Sequence, residues 1–266
     1  MSRWFPEQLA KRIPAPLRAL WPGARATAVE LRLTDTRPEA LEQQLDALAL
    51  APNTRLTCIV AGEGVRYRIV PWRDELSQPA QRQLLAEQCF SDGGTDIDTG
   101  AHAPRHWTVR QHTARHGAAT LAAAIDTSVL DHLTAQARAR HCTLSSVQPA
   151  LMHAYNLARH HIAPGLHGVV VIDAASTTLL LQSPHEPLLV KRTPAPPGDL
   201  AAMLEREWFA LGLEVERCPV YVVRSDVALT PSLQGSASGW SIVDLTPSVP
   251  GESISAATGS AMAVAA

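Results

Sequence analysis

The chain has 266 residues, enough for one large domain or two small ones packed together, with roughly 70–75 % of the unfolded surface buried on folding. Apolar residues make up 46 % and charged residues 18 %, which excludes a disordered or fibrous chain. Twenty-three Lys and Arg against 25 Asp and Glu leave a net charge of −2, so no global field draws the protein to nucleic acid or to an anionic membrane.

The four cysteines, Cys58, Cys89, Cys142 and Cys218, are scattered without a C-x-x-C pair. That pattern predicts four buried thiols in a reducing compartment, neither a disulfide frame nor a zinc site. The N-terminus carries no apolar signal-peptide core, and the most apolar run, Gly168 to Gln182, is broken by Asp173. A cytoplasmic protein without a membrane span is the expectation.

Residues 1–24 read as a separate arm, in which Leu9, Ile13, Leu17 and Leu20 recur at helical spacing and Pro14 and Pro16 interrupt it. It docks either on a partner or on its own domain. Alternating strands and helices begin at Arg25. A strand over Ala26 to Leu33 sets Val29, Leu31 and Leu33 against Ala28, Glu30 and Arg32, and a helix after Pro38 carries Leu41, Leu45 and Leu48 on one stripe. Leu56 to Ala61 suits a central strand; Gly62-Glu63-Gly64 and the alternating run Val65 to Val70 then predict a hairpin.

A polar helix from Pro79 to Phe90 leads to a loop over Ser91 to Pro104. Two strands follow, Trp107 to His112 and Ala118 to Ile125. Asp126-Thr127-Ser128 then offers caps for a helix running towards Arg140. A short strand at Thr143 to Val147 and a helix opened by Pro149 end a first unit spanning residues 25–161. A second unit, residues 162–246, opens with an antiparallel meander of Gly168 to Asp173, Thr177 to Gln182 and Leu188 to Lys191. A helix from Asp199, a strand at Val220 to Arg224 and a last strand at Trp240 to Leu245 complete it. The remainder, 247–266, lacks a core-forming pattern and is expected to be a disordered tail.

Two successive units of similar grammar imply paired α/β lobes with a cleft between them. Several pieces of the chain resemble, in their order, the cytoplasmic actin-like proteins of type IV pilus assembly and type II secretion, the PilM and GspL families. They are Ala28-Val29-Glu30-Leu31, Leu56-Thr57-Cys58-Ile59-Val60 with the run to Pro71, Ala122-Ala123-Ala124-Ile125, Ser145 to Leu151, and Val169 to Thr178. The resemblance covers about three quarters of the sequence. It implies an α/β, actin-like (ribonuclease H-like), two-lobed fold with mixed sheets. It also implies docking of a short cytoplasmic segment of an inner-membrane assembly protein, which recruits the chain to that membrane, and communication with a motor ATPase.

Members of such families that bind nucleotide wrap its phosphates with backbone N–H groups of one β-turn in each lobe, with an Asp near each turn serving magnesium. The resemblance places the second of these turns at Asp173, Ala175, Ser176, Thr177 and Thr178. Ala175 stands where a glycine would let the backbone approach phosphate, so this phosphate loop is degenerate. The strand ending at Leu33 runs into Thr34-Asp35-Thr36-Arg37 without a glycine, and Arg224-Ser225 replaces an expected glycine pair. The resulting expectation is a non-catalytic scaffold or adaptor that needs no cofactor. The alternatives are an active ATPase binding Mg-ATP between the lobes, with Asp173 on the metal-bound water, and an unrelated α/β enzyme using the histidines. Asp173 by itself reads as a strand-end residue that caps a turn through its carboxylate.

No metal is expected. His160 and His161 are adjacent and point about 100° apart on a helix, and the pairs His112/His116 and His102/His106 share no helical face. The loop Ser91 to Asp98 carries three acids without the terminal Glu of an EF-hand.

Overall fold

The computed structural model describes residues 28–76, 78–91, 106–112, 115–174, 176–194, 200–213, 216–225 and 239–245. The expected N-terminal arm, the acidic loop beyond Ser91, His102, Ala175 and the tail lie outside the described residues. In chain order the elements are β1 (Ala28–Leu33), α1 (Pro38–Ala47), β2 (Arg55–Val60), a 3-10 turn (Gly62–Gly64), β3 (Val65–Val70), α2 (Pro79–Ser91), β4 (Trp107–Gln111), β5 (Thr120–Asp126) and α3 (Thr127–Ala139). Then follow β6 (Thr143–Pro149), α4 (Ala150–Ala158), β7 (His167–Ile172), β8 (Ser176–Gln182), β9 (Pro187–Pro194), α5 (Leu200–Ala210), β10 (Pro219–Arg224) and β11 (Ser241–Asp244).

The strands form three sheets. In the first, β1, β2 and β6 are all parallel, with Leu31 opposite Cys58 and Ile59 opposite Gln148. Parallel neighbours need a crossover, which α1 supplies between β1 and β2. Pro38 sits in the first turn of α1, where its missing N–H has no intrahelical partner to lose, and Leu41 and Leu45 are buried with Leu31, Leu33, Leu56 and Val60. Each such side chain adds about 1.5–3 kcal/mol of burial. Asp126 caps α3 as its sequence predicts, its carboxylate accepting from the Ser128 N–H at 2.9 Å.

The predicted hairpin of β2 and β3 is not formed. Both edges of β2 are taken, by β1 and by β6, so β3 has no edge of β2 to join and pairs antiparallel with β5 instead, in a second sheet ordered β3-β5-β4. Gly62 and Gly64 serve close packing there. Gly62 has φ +64°, and a Cβ on it would stand 2.7 Å from the Thr34 carbonyl oxygen; one on Gly64 would meet the Thr36 side chain at 2.5 Å. The run β3-α2-β4-β5 is thus inserted between two adjacent parallel strands, with a small core of Val70, Ala86, Phe90 and Val109.

The third sheet, β11-β10-β7-β8-β9, is mixed: β7, β8 and β9 form the predicted meander, and β10 and β11 add parallel beside β7. Helix α5 buries Met203, Leu204 and Trp208 on one face. On the other face, α4 lies between the first and third sheets, where Leu151 and Ala154 pack with Ile59, Val169, Val171 and Val223. The two lobes share a helix yet differ in build, because β1 leads straight into a crossover where the third sheet has its meander. Three cysteines are buried as expected, whereas Cys89 is half-buried. Among the described residues no helix is long and apolar enough to cross a membrane.

Candidate functional site

Strand β7 is buried along its whole length, as befits a central strand covered by α4 and α5, and it delivers Asp173 to its carboxyl end. Asp173 directly follows β7, and β8 opens at Ser176. The Asp173 N–H donates to the Ser176 carbonyl at 2.8 Å and so closes the turn on itself. Ser176, Thr177 and Thr178 are not loop residues: they open β8, opposite Pro194, Thr193 and Arg192 of β9, and are 1 %, 1 % and 5 % exposed. The Ser176 hydroxyl has no hydrogen-bond partner among the described residues. Of the residues predicted for the phosphate loop, the structure therefore places Ser176, Thr177 and Thr178 in β8 and Asp173 just beyond β7, and Ala175 is not among those described.

Asp173 is only 4 % exposed. Burial pushes its carboxyl above the usual carboxylate range, against the pull of a hydrogen bond with the Ser225 side chain and of the Arg32 and Arg192 charges. Ser225 is held by its own backbone, its N–H donating to the Ile172 carbonyl at 2.9 Å. Arg32 comes from β1 in the first lobe and Arg192 from β9, so the carboxylate lies where the lobes face each other.

The inserted sheet reaches the same place through Tyr67 of β3. Its hydroxyl accepts from the Leu151 N–H at 3.1 Å, and the ring stands within electrostatic reach of Asp173 and Arg192. Burial raises the Tyr67 phenol far above its ordinary value, so it stays protonated. The contact solves a local problem: α4 begins after Pro149, which offers no side-chain cap, and the first N–H groups of a helix have no partner within it. Tyr67 caps α4 from 84 residues away.

On the first lobe, the segment after β1 is closed in its own way. The Ala61 N–H donates to the Leu33 carbonyl at 2.8 Å, Gly62 and Gly64 press on Thr34 and Thr36, and Asp35 pairs with Arg37, whose Nε lies 3.0 Å from both carboxylate oxygens. That guanidinium holds the Asp35 carboxyl at about 2. Arg224, at the end of β10, pairs with Asp244 of β11 at 2.5 Å.

Sequence reading found Asp173 and the hydroxyl run but missed Arg32, Tyr67 and Arg192. Arg32 lay on the strand face read as wet, and Tyr67 in an apolar alternation. The only available signal was a tyrosine among Val65, Ile69 and Val70, whose hydroxyl demands a partner when buried. Among the described residues, His116 packs against Trp72 with ring centroids 4.9 Å apart and the rings tilted by 54°, and the His160 Nε2 accepts from Arg159.

No family model matches the sequence, and no curated protein matches it. Among solved structures, the fold is similar to that in a PilM–PilN type IV pilus biogenesis complex, at 15 % identity over 84 % of this chain and 79 % of that one, with a TM-score of 0.50. A protein with an actin-like ATPase fold from Bacteroides thetaiotaomicron is similar at 12 % identity over 81 % of this chain and 90 % of that one, with a TM-score of 0.49. The cytoplasmic domain of EpsL, an inner membrane component of the type II secretion system of Vibrio cholerae, is similar at 11 % identity over 74 % and 81 %, with a TM-score of 0.45. The fold of this chain is actin-like, as its element order implied.

Proposed function

We propose that this protein is a non-catalytic actin-like scaffold of a type IV pilus or type II secretion assembly, which holds the cytoplasmic segment of an inner-membrane assembly protein and is recruited to the membrane by it. The observation that supports this reading is the fate of the second phosphate turn. Its acid is buried against Ser225, and its hydroxyls are strand residues within the sheet. A magnesium triphosphate needs free N–H groups at an open turn and an accessible carboxylate. The burial of Asp173 and the strand placement of Ser176, Thr177 and Thr178 speak against that group and so support the scaffold reading. The likeness in fold to a complex of PilM with PilN supports an assembly role, with a partner's segment as the ligand in place of nucleotide.

Two measurements on the full chain test the reading. A ligand at a hundredfold excess over its Kd stabilises a native state by about 2.7 kcal/mol, which for a chain of this size is a rise in Tm of roughly 5–10 °C. Millimolar Mg-ATP is expected to leave Tm unchanged; a rise of that size restores the ATPase alternative. Co-purification from the native host is expected to recover an inner-membrane pilus or secretion component, and its absence from repeated pull-downs would remove the scaffold reading.

A further inference from the structure

A cavity of about 440 Å³ lies where three parts of the molecule meet: the inserted sheet, α4 with the segment that follows it, and the third sheet. Leu121 of β5, Met152 of α4, Ile162 and Leu180 of β8 are among its walls. Protein interiors are packed as densely as organic crystals, so an opening of this size means that the inserted sheet does not reach interior packing against the second lobe. Beside the cavity, β3 runs alongside β9, yet the two strands belong to separate sheets with no backbone ladder between them.

The register shows how the inserted unit is tethered. Val65, the first residue of β3, stands opposite Ile125, and Asp126 passes directly into α3, so the chain enters and leaves at the same end of the sheet. The bond from the Leu151 N–H to Tyr67 lies towards this end too. At the opposite end Val70 pairs with Thr120, which is about 17 Å along β5 from Ile125 at about 3.4 Å per residue.

Next to Thr120, two hydrogen bonds reach the second lobe. The Ala119 N–H donates to Glu186 Oε2 at 2.9 Å, and Arg115 Nη1 donates to the Pro184 carbonyl at 3.2 Å. Both acceptors sit on the β8–β9 turn, which Ser183 holds in shape: its hydroxyl donates to the Glu186 carbonyl at 2.8 Å and accepts from the Glu186 and His185 N–H groups at 3.0 and 3.2 Å. On the inserted sheet, the Ala118 N–H closes a turn on the Arg115 carbonyl at 3.2 Å. Two self-bonded turns thus meet through two bonds, one of them to a carboxylate. Arg115, Ala119 and Pro184 also line the cavity, so these bonds close one side of it.

A unit tethered at one end and bonded at the other, across an interface that is neither laddered nor filled, can move as a body when those bonds part. We propose that the Ala119–Glu186 and Arg115–Pro184 bonds form a latch. While they hold, the inserted sheet is closed on the second lobe; when they part, it swings outward about Val65 and Asp126 and opens the cavity. The device is built from this chain alone and does not depend on the scaffold reading.

Two measurements on the full chain test it. By hydrogen exchange, the Ala119 amide of the native protein is expected to exchange through local opening, about tenfold or more faster than the amides within β5 and with little response to low urea. By pulsed electron spin resonance, nitroxides at Leu84→Cys on α2 and Phe209→Cys on α5, both exposed positions, report the separation of the two units in a Cys89→Ser background. Arg115→Ala combined with Glu186→Ala should lengthen that distance by more than about 2 Å and broaden its distribution. An unchanged or shorter distance in the double variant overturns the latch. So does Ala119 exchange as slow as that of β5 in the native chain, which needs no variant to fold.

Discussion

Tyr67→Phe isolates one hydroxyl that ties the inserted sheet to the start of α4. The ring remains and fills the same space, so the packing term is conserved and only the bond from the Leu151 N–H is lost. Leu151 is fully buried, Pro149 provides no alternative cap, and an N–H in the first turn of α4 has no acceptor within the helix. Leaving such a donor unsatisfied costs about 1–3 kcal/mol. At roughly 2–4 °C per kcal/mol for a fold of this size, Tm should fall by about 2–12 °C, read by circular dichroism and confirmed by a lower urea midpoint at unchanged slope. Hydrogen exchange gives the local readout, with the Leu151 amide losing protection in the variant. A Tm within a degree or so of the native value, together with unchanged exchange at Leu151, would falsify the claim that the inserted sheet caps α4 from a distance.

Asp173→Asn should stabilise the protein at neutral pH, because the folded pKa is raised above the ordinary 3.8 by burial. Below that value both folded and unfolded carboxyls hold their proton and nothing is lost. As pH rises through the folded pKa the native state must bury a charge, so native stability declines while that of the variant does not. Coincident pH–stability curves for the two proteins would refute this. Gly62→Ala should cost more than Gly117→Ala: both force a positive φ, worth about 1–2 kcal/mol, but only the first places a Cβ at 2.7 Å from a carbonyl oxygen, and equal losses would show that this contact relaxes freely. In the native state a thiol reagent should label Cys89 first, since burial pushes Cys58 to about 12 and Cys218 to about 11; comparable labelling rates for Cys58 and Cys89 would contradict the burial argument.

The amino-acid sequence alone determined the local elements, because the forces that set them act over a few residues. The stripe of Leu41 and Leu45, the Asp126 cap and the alternation of β1 are fixed by 3.6- and 2-residue periods and by one hydrogen bond two residues long. The meander of the third sheet was equally legible, since its strands are joined by short connections and adjacent in space. The position of Asp173 at a strand end followed from the same reading.

Strand partnership across long separations was decided only in three dimensions. Nothing between residues 56 and 70 records that β6, more than seventy residues onward, occupies the edge of β2 and diverts β3 into another sheet. The environment of Asp173 was hidden for the same reason, since Arg32, Tyr67 and Arg192 come from three strands and Ser225 from the segment after β10, and their proximity depends on the packing of the lobes around α4. Burial and charge at a junction are sums over the whole fold, whereas a periodic pattern reports only which face of its own element is apolar.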